Sequence, residues 1–244
     1  MLIILPVSCT SLWIVSEFLV VVFVPLLMEL VTQLPTGMQG LHQAGILHCD
    51  ISSENVMAVN DSKTDVWIIL NDFDLAGQVE AEATTARHRT GTLPFMAIEL
   101  LRKAGATHRL QHDLESLFYV AVWWAVTGTN SQADRDRAAA RRDSLRLWNH
   151  GTPREISRIK HEFLTERWDE SRIELSPGFQ GIFHILRRLK KLFVDAEQSR
   201  LERERDNEER NEKLALVQVE LHEHVDTETA EDISPEEFRT ALFS

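Results

Sequence analysis

His48-Cys49-Asp50-Ile51-Ser52-Ser53-Glu54-Asn55 puts a carboxylate and a carboxamide five residues apart, in the spacing H-x-D-x-x-x-x-N. Phosphoryl transfer needs a carboxylate beside the attacking hydroxyl and a hard oxygen ligand for Mg²⁺ beside the phosphates. Asp50 and Asn55 would supply both from one short loop. Asp72, in Asn71-Asp72-Phe73-Asp74, follows a run of β-formers and offers a second carboxylate for the same metal. Each fragment alone recurs by chance, and Asp50 and Asn55 also suit an ordinary turn. The ordered set is much more specific.

The set continues downstream with Gly91-Thr92-Leu93-Pro94-Phe95-Met96-Ala97-Ile98-Glu99, then His112-Asp113 at the head of an apolar stretch. Here the chain resembles the C-lobe of eukaryotic-type protein kinases. HCDISSEN resembles the catalytic loop, NDFDLA the metal-binding D-F-G, and GTLPFMAIE the segment ending in A-P-E. The wording GILHCDIS, DFDLA, GTLPFMAIELL and HDLESLFYVAVWW is similar to that of the fungal-type protein kinase family. The resemblance spans about residues 25–190 and is strongest over 45–125. Ser52 and Asp74 depart from the general kinase pattern and are usual in that family.

The resemblance implies ATP and Mg²⁺ as cosubstrates and Ser/Thr of a protein as acceptor. It assigns Asp50 the role of catalytic base, and Asn55 and Asp72 the binding of metal and nucleotide. His48 would buttress the loop, and Thr92 would bridge toward Asp50 and favour a Ser/Thr acceptor. Glu99 would brace the activation segment through an ion pair, with Arg187 or Arg188 as expected partner. Asp113 would hydrogen-bond the catalytic-loop backbone. Glu99 and Asp113 also read as helix-terminal charges. Cys49 stands where an Arg would pair with an activation-loop phosphate, so Thr84, Thr85 and Thr90 are expected to be ordinary loop residues. Cys49 itself is expected to pack; reactivity requires a lowered pKa that spacing does not reveal.

These residues need elements to hold them. Residues 26–34 have helical spacing, and Pro35 with Gly37 predicts a break or kink, because Pro inside a helix costs about 3 kcal/mol. Two strand-like runs, HCDISSENVMAV and DVWIILNDFDLAG, meet at the polar turn Asn60-Asp61-Ser62 and predict a hairpin with polar residues at its ends. Asp113 to Thr127 is apolar round most of its circumference, a helix buried in a domain. Residues 131–146 read as a solvated surface element, ISRIKHEFLTERW as a helix, Pro177-Gly178 as a turn, and FQGIFHILRRLKKLF as an amphipathic helix. From Asp195 to Lys213, eight acidic and five basic residues with i,i+4 partners predict a solvated helix, a regulatory acidic arm being the sharper alternative. Ser234-Pro235-Glu236-Glu237 carries an N-cap, Pro at N1 and a capping-box Glu. The expected fold is mainly α (α+β): a protein kinase-like C-lobe over 25–194 with a short catalytic β-hairpin, and a charged helical tail over 195–244.

Composition sets the outer limits. At 244 residues, 43% apolar and 26% charged, the chain is neither disordered nor polytopic. A net charge of −12 argues against a nucleic-acid binder; a protein substrate or protein partner is what the kinase resemblance implies. Two cysteines, Cys9 and Cys49, make no disulfide framework, which favours an intracellular, cytoplasmic setting. Residues 1–31 carry only Glu17 and Glu29 as charges, and the first Lys or Arg is Lys63. Lacking flanking positive charge, that stretch suits buried strands better than a membrane anchor, although an anchor stays open.

The 47 residues before His48 hold no G-x-G-x-x-G and no Lys to clamp phosphates. The expectation is therefore an N-lobe that is missing or vestigial, residues 1–24 being a remnant or a misassigned segment, with at most feeble activity. Two other readings stand beside the kinase: a non-catalytic, kinase-derived interaction module, and a small-molecule phosphotransferase of the aminoglycoside/choline kinase type. The last shares H-x-D-x-x-x-x-N but fits GTLPFMAIE and HDLESLFYV poorly.

Overall fold

The computed structural model describes residues 20–60, 66–79, 91–128, 145–168, 173–217 and 234–243, together with 137, 140, 141 and 143. Helices dominate: α1 (Val20–Gln43), α2 (Ile98–Arg102), α3 (Leu110–Thr127), α4 (Pro153–Thr165), α5 (Phe183–Val217) and α6 (Pro235–Phe243). Short 3₁₀ turns occupy Arg146–Trp148 and Pro177–Ile182. Four strands form two antiparallel pairs: β1 (Ile46–Leu47) with β4 (Gly77–Gln78), and β2 (Val56–Asn60) with β3 (Val66–Leu70). The fold is mainly α, with two small sheets.

The hairpin forms where the two apolar runs predict it, Val56 opposite Leu70 and Asn60 opposite Val66. Its first run is strand only from Val56; residues 48–55 are loop and turn. The hairpin rests on α1, whose Gln33 side-chain oxygen accepts the Ile68 N–H at 3.0 Å.

α1 corrects the expected break, running unbroken through Pro35 and Gly37. Leu30, Val31, Leu34 and Met38 are buried along it, each stabilising by about 1.5–3 kcal/mol. Together they exceed the roughly 3 kcal/mol of an internal Pro and about 1 kcal/mol for each Gly. Tertiary burial overrides local propensity. The same helix corrects the strand reading at Val20–Val24, which are helical; residues 1–19 lie outside the described residues. Among the described residues no helix is long and apolar enough to cross a membrane.

α3 is the core axis, buried on nearly every side. Around it an aromatic cluster stacks Trp168 on Phe118 (6.1 Å between centroids), tilts it against Phe163 (4.7 Å), and sets Trp148 edge-on to Phe163 (4.8 Å). α4 starts at the reciprocal cap of Thr152 and Glu155, with Pro153 at its first position. α5 buries Ile185, Leu186, Leu189, Phe193 and Arg200, and residues 205–211 beyond them are exposed. α6 folds back with Phe238 against Phe193 at 6.0 Å, held by Ser234 and Glu237 in the predicted capping box.

Much of 131–146 lies outside the described residues. Of its described residues, Arg137, Ala140, Asp143 and Arg146 are exposed, as a solvated element has them, while Arg141 and Leu145 turn inward. Arg141 is the polar exception. It is buried, and its Nε donates to the Val126 carbonyl at 2.9 Å, satisfying an otherwise open carbonyl in the last turn of α3.

Candidate active site

The loop 48–55 is built around backbone bonds. Asp113, buried at the start of α3, accepts the His48 N–H on Oδ2 (3.0 Å) and the Cys49 N–H on Oδ1 (3.2 Å). Those two bonds hold Cys49 at φ +66°, a left-handed conformation uncommon outside glycine. His48 Nδ1 accepts the Asp50 N–H at 3.4 Å, and its Nε2–H donates to the Asn71 carbonyl at 3.1 Å. Its ring also packs on Phe73, with centroids 4.7 Å apart. His48 thus ties the loop to the Asn71–Asp74 segment, both ring nitrogens engaged.

Asp50 is the point of convergence. Its Oδ1 accepts the Thr92 N–H (2.9 Å) and Thr92 O–H (2.8 Å), and its Oδ2 accepts the Asn55 amide at 3.2 Å. Asn55 also donates to the Asp50 carbonyl at 2.9 Å. Gly91 allows the close approach of Thr92. Its φ is +119°, and a Cβ there would lie 3.3 Å from the Cys49 carbonyl oxygen and 3.8 Å from Asp50 Oδ1.

Asp72 lies one residue beyond Asn71, whose N–H donates to the Asn55 carbonyl at 2.8 Å. Asp72 is exposed, at φ +62°, and its Oδ1 accepts the Asp74 N–H at 3.3 Å. Among the described residues no three His, Cys, Asp or Glu side chains gather as a metal cage. Mg²⁺ fits a sparser set: it is commonly held by one or two protein oxygens, with substrate phosphates and water completing the shell. Asn55, its amide N–H groups turned to Asp50, and the lightly engaged carboxylate of Asp72 fit that description.

Glu99 is braced, with different partners from those expected. Arg187 and Arg188 line a separate groove beside Trp168. Arg109 donates to Glu99 at 2.6 Å, His112 at 3.1 Å, and Arg200 on α5 approaches to 4.0 Å. Burial opposes charge on Glu99, but the His112 hydrogen bond and the Arg109 guanidinium outweigh it and hold its pKa at about 2. α5 grips α2 further through Arg102–Glu197 (2.6 Å) and Lys103–Glu204 (2.7 Å).

Several other contributors carried no sequence signal. His108 Nε2 meets Asp113 at 2.7 Å. Burial works against its charge, yet hydrogen bonds to Asp113 and Cys49 lift its pKa to about 10. His112 goes the other way, to about 4, through burial that the Glu99 hydrogen bond does not offset. Lys160, fully buried on α4, donates to the Met96 carbonyl at 2.6 Å and lies 3.8 Å from the Tyr119 ring centroid. Burial pushes its pKa well down, and burial lifts its coupled partner Glu115 to about 6. Glu115 accepts the Ile98 N–H and the Tyr119 O–H, both at 2.9 Å, which fixes the start of α2. Only the buried location of Lys160 marks it out, and a polar helical pattern hides that. Thr84, Thr85 and Thr90 lie outside the described residues.

Comparison with known proteins bears on the same stretch. A family model described as fungal protein kinase matches residues 26–125. A serine/threonine-protein kinase of Arabidopsis thaliana, AtPK1/AtPK6, is 33% identical over 94 residues, 38% of this chain and 17% of that protein. The interferon-induced, double-stranded RNA-activated protein kinase of Mus musculus is 33% identical over 76 residues, 31% of this chain and 14% of its own length. The serine/threonine-protein kinase grp of Drosophila melanogaster is 37% identical over 93 residues, 37% of this chain and 17% of its own. The matched part thus spans less than a fifth of each of these relatives. Over the residues that build this site the chain is protein kinase-like, and the family it matches is that of the fungal protein kinases.

Proposed function

We propose that the chain carries the catalytic lobe of a protein kinase and that its site transfers the γ-phosphoryl group of ATP to a Ser or Thr hydroxyl of a protein. Residues 25–194 are read as that lobe, and 195–244 as its charged helical tail. The observation that supports this best is the convergence on Asp50. One carboxylate is oriented by Thr92 and Asn55, with Asp72 joined to the same loop through the Asn71–Asn55 backbone bond.

In this reading Asp50 accepts the acceptor hydroxyl's proton as the oxygen attacks. Thr92 keeps the carboxylate facing the incoming residue. Asn55 and Asp72 hold Mg²⁺, which when bound neutralises charge on the transferring phosphates. His48 and Asp113 fix the loop, while Lys160 and Glu99 fix the segment on which the acceptor peptide rests. Such catalysis is mainly positioning and electrostatic stabilisation. No Lys or Arg occurs among residues 1–47, so none of that stretch steadies the nucleotide phosphates.

The test is a thermal melt of the full chain with Mg-ATP, followed by transfer of labelled phosphate to a mixed Ser/Thr peptide library. Nucleotide at 100 times its Kd stabilises by about 2.7 kcal/mol. A rise in Tm that Asp72→Ala abolishes, with transfer lost in Asp50→Asn, is the expected result. A flat melt at millimolar Mg-ATP overturns the proposal and leaves the interaction-module reading.

A further inference from the structure

Between the end of α4 and the first turns of α5 lies a groove of about 490 Å³ whose lining includes none of the residues around Asp50. Leu164 and Trp168 form its floor, the indole fixed by its N–H to the Phe163 carbonyl at 2.7 Å. Arg167, Arg187, Arg188, Lys190 and Lys191 surround that floor. Five cations in one groove run against the −12 net charge of the chain. With His184, Arg187, Arg188 and Lys191 follow i, i+3, i+4 and i+7 spacing on α5, so they stand on one face. At 1.5 Å per residue that line is roughly 10 Å long.

Like charges crowd there. The Lys190 ammonium, 5.3 Å from the Trp168 ring centroid, is pulled below its ordinary pKa range by burial and then by the Arg187 guanidinium. Asp195 pairs with Lys191, and Glu166 partly offsets Lys190, which also donates to the Glu166 carbonyl. An anion in the groove would relieve the remaining repulsion, so charge complementarity selects an acidic ligand. The length of the line selects among acidic ligands. A phosphate ion meets two or three of these cations, whereas three or four residues of extended chain, at about 3.3 Å each, run the whole line.

We propose that this groove docks an extended acidic segment of a protein partner, Asp/Glu side chains meeting the α5 cations and one apolar side chain lying against Leu164 and Trp168. The inference goes beyond phosphoryl transfer and does not depend on it.

Fluorescence anisotropy of the full chain with a labelled Glu-Asp-Leu-Glu-Asp peptide tests it. Arg187 and Lys191 are exposed, so Arg187→Glu/Lys191→Glu is expected to keep the wild-type Tm and to weaken binding at least about tenfold. Arg205→Glu/Arg210→Glu, exposed on the same helix outside the groove, should bind as the parent does. Should the first variant lose its fold, Arg187→Gln/Lys191→Gln takes its place, with a loss of about threefold. Absence of saturable binding, or equal loss in the groove and control variants, overturns the proposal. So does displacement by inorganic phosphate as readily as by unlabelled peptide, or tighter binding to phosphatidylserine vesicles than to the peptide.

Discussion

Asp50 and Asp72 are assigned to one reaction and sit in opposite settings. Asp50 accepts three hydrogen bonds from two separate segments, and the loop bearing it is fastened by the buried Asp113. Asp72 lies in a run exposed from Asn71 to Ala76, with one long bond to its neighbour's backbone. The contrast teaches a division of labour. Orientation of the Asp50 carboxylate, the proposed base, is built into the fold, at the expense of a left-handed Cys49 and a buried Asp113. Placement of Asp72, the carboxylate proposed to meet metal, is left to what binds it. Stability measurements should therefore separate the two halves clearly.

The largest effect belongs to Asp113→Ala. It leaves the His48 and Cys49 N–H groups and the half-buried His108 without the Asp113 carboxylate, and removes the restraint on Cys49. Breaking a buried pair by deleting one partner costs about 3–5 kcal/mol. Urea unfolding should show a loss of that order. A loss under about 1 kcal/mol would mean that the loop is held by something else.

Next comes His108→Gln, read through pH. The folded pKa of His108, about 10, is raised above the ordinary 6.5. Its stabilisation is fully present below pH 6.5 and is lost as pH rises toward 10, at up to about 1.4 kcal/mol per pH unit. Below pH 6.5 the sign reverses at His112, depressed to about 4, and stability falls with acid; Glu99, at about 2, adds to that loss below its ordinary 4.5. Glu115, raised to about 6, and Lys160, held well below its ordinary 10.5, titrate in the opposite sense over parts of these ranges, so the quantity to read is the difference in stability between the parent and His108→Gln. That difference should be largest below pH 6.5 and shrink as pH rises toward 10. A difference that does not change with pH would remove His108 from the support of the loop.

The two halves also differ in how they could be read from the sequence. The spacing of His48, Asp50, Asn55 and Asp72 is local, and the hairpin that carries it follows from two apolar runs. The contact of Asp113 with the loop backbone is implied by the resemblance to protein kinases; its place at the head of an apolar helix reads equally as a helix-terminal charge. The brace of Glu99 was not readable. Arg109 and Arg200 are brought to it by packing of α2, α3 and α5, and nothing in their neighbourhoods singles them out from Arg187 or Arg188. Lys160 sits in a polar, helix-forming stretch and is buried only because α4 packs on the Met96 segment. Pro35 misled for the complementary reason, since burial of Leu34 and Met38 beside it outweighs its local penalty.

Gly91→Ala should give a smaller loss, about 1–3 kcal/mol, from forcing a side chain to φ +119° against the Cys49 carbonyl. Because the strain falls at the Thr92–Asp50 contact, transfer activity should drop more than Tm does. Adding Thr92→Val to Gly91→Ala should then cost less than the two changes summed. Strict additivity would place the strain away from Asp50.

Asp72→Ala should be the mildest, within about 1 kcal/mol of the parent without ligand, most of it from placing Ala at the left-handed φ of +62°, which Asp tolerates better. No buried group depends on Asp72, and the Asp74 N–H it releases is exposed to water. Removing a lightly engaged carboxylate from the neighbourhood of Asp74 also lowers local repulsion, so a slight gain in Tm is compatible with the contrast. The measurement that matters is the difference between two melts: Mg-ATP should raise the Tm of the parent and leave Asp72→Ala unmoved. A loss of several kcal/mol before any ligand is added would show Asp72 anchored as firmly as Asp50, and the division between a built-in base and a ligand-ordered metal site would fail.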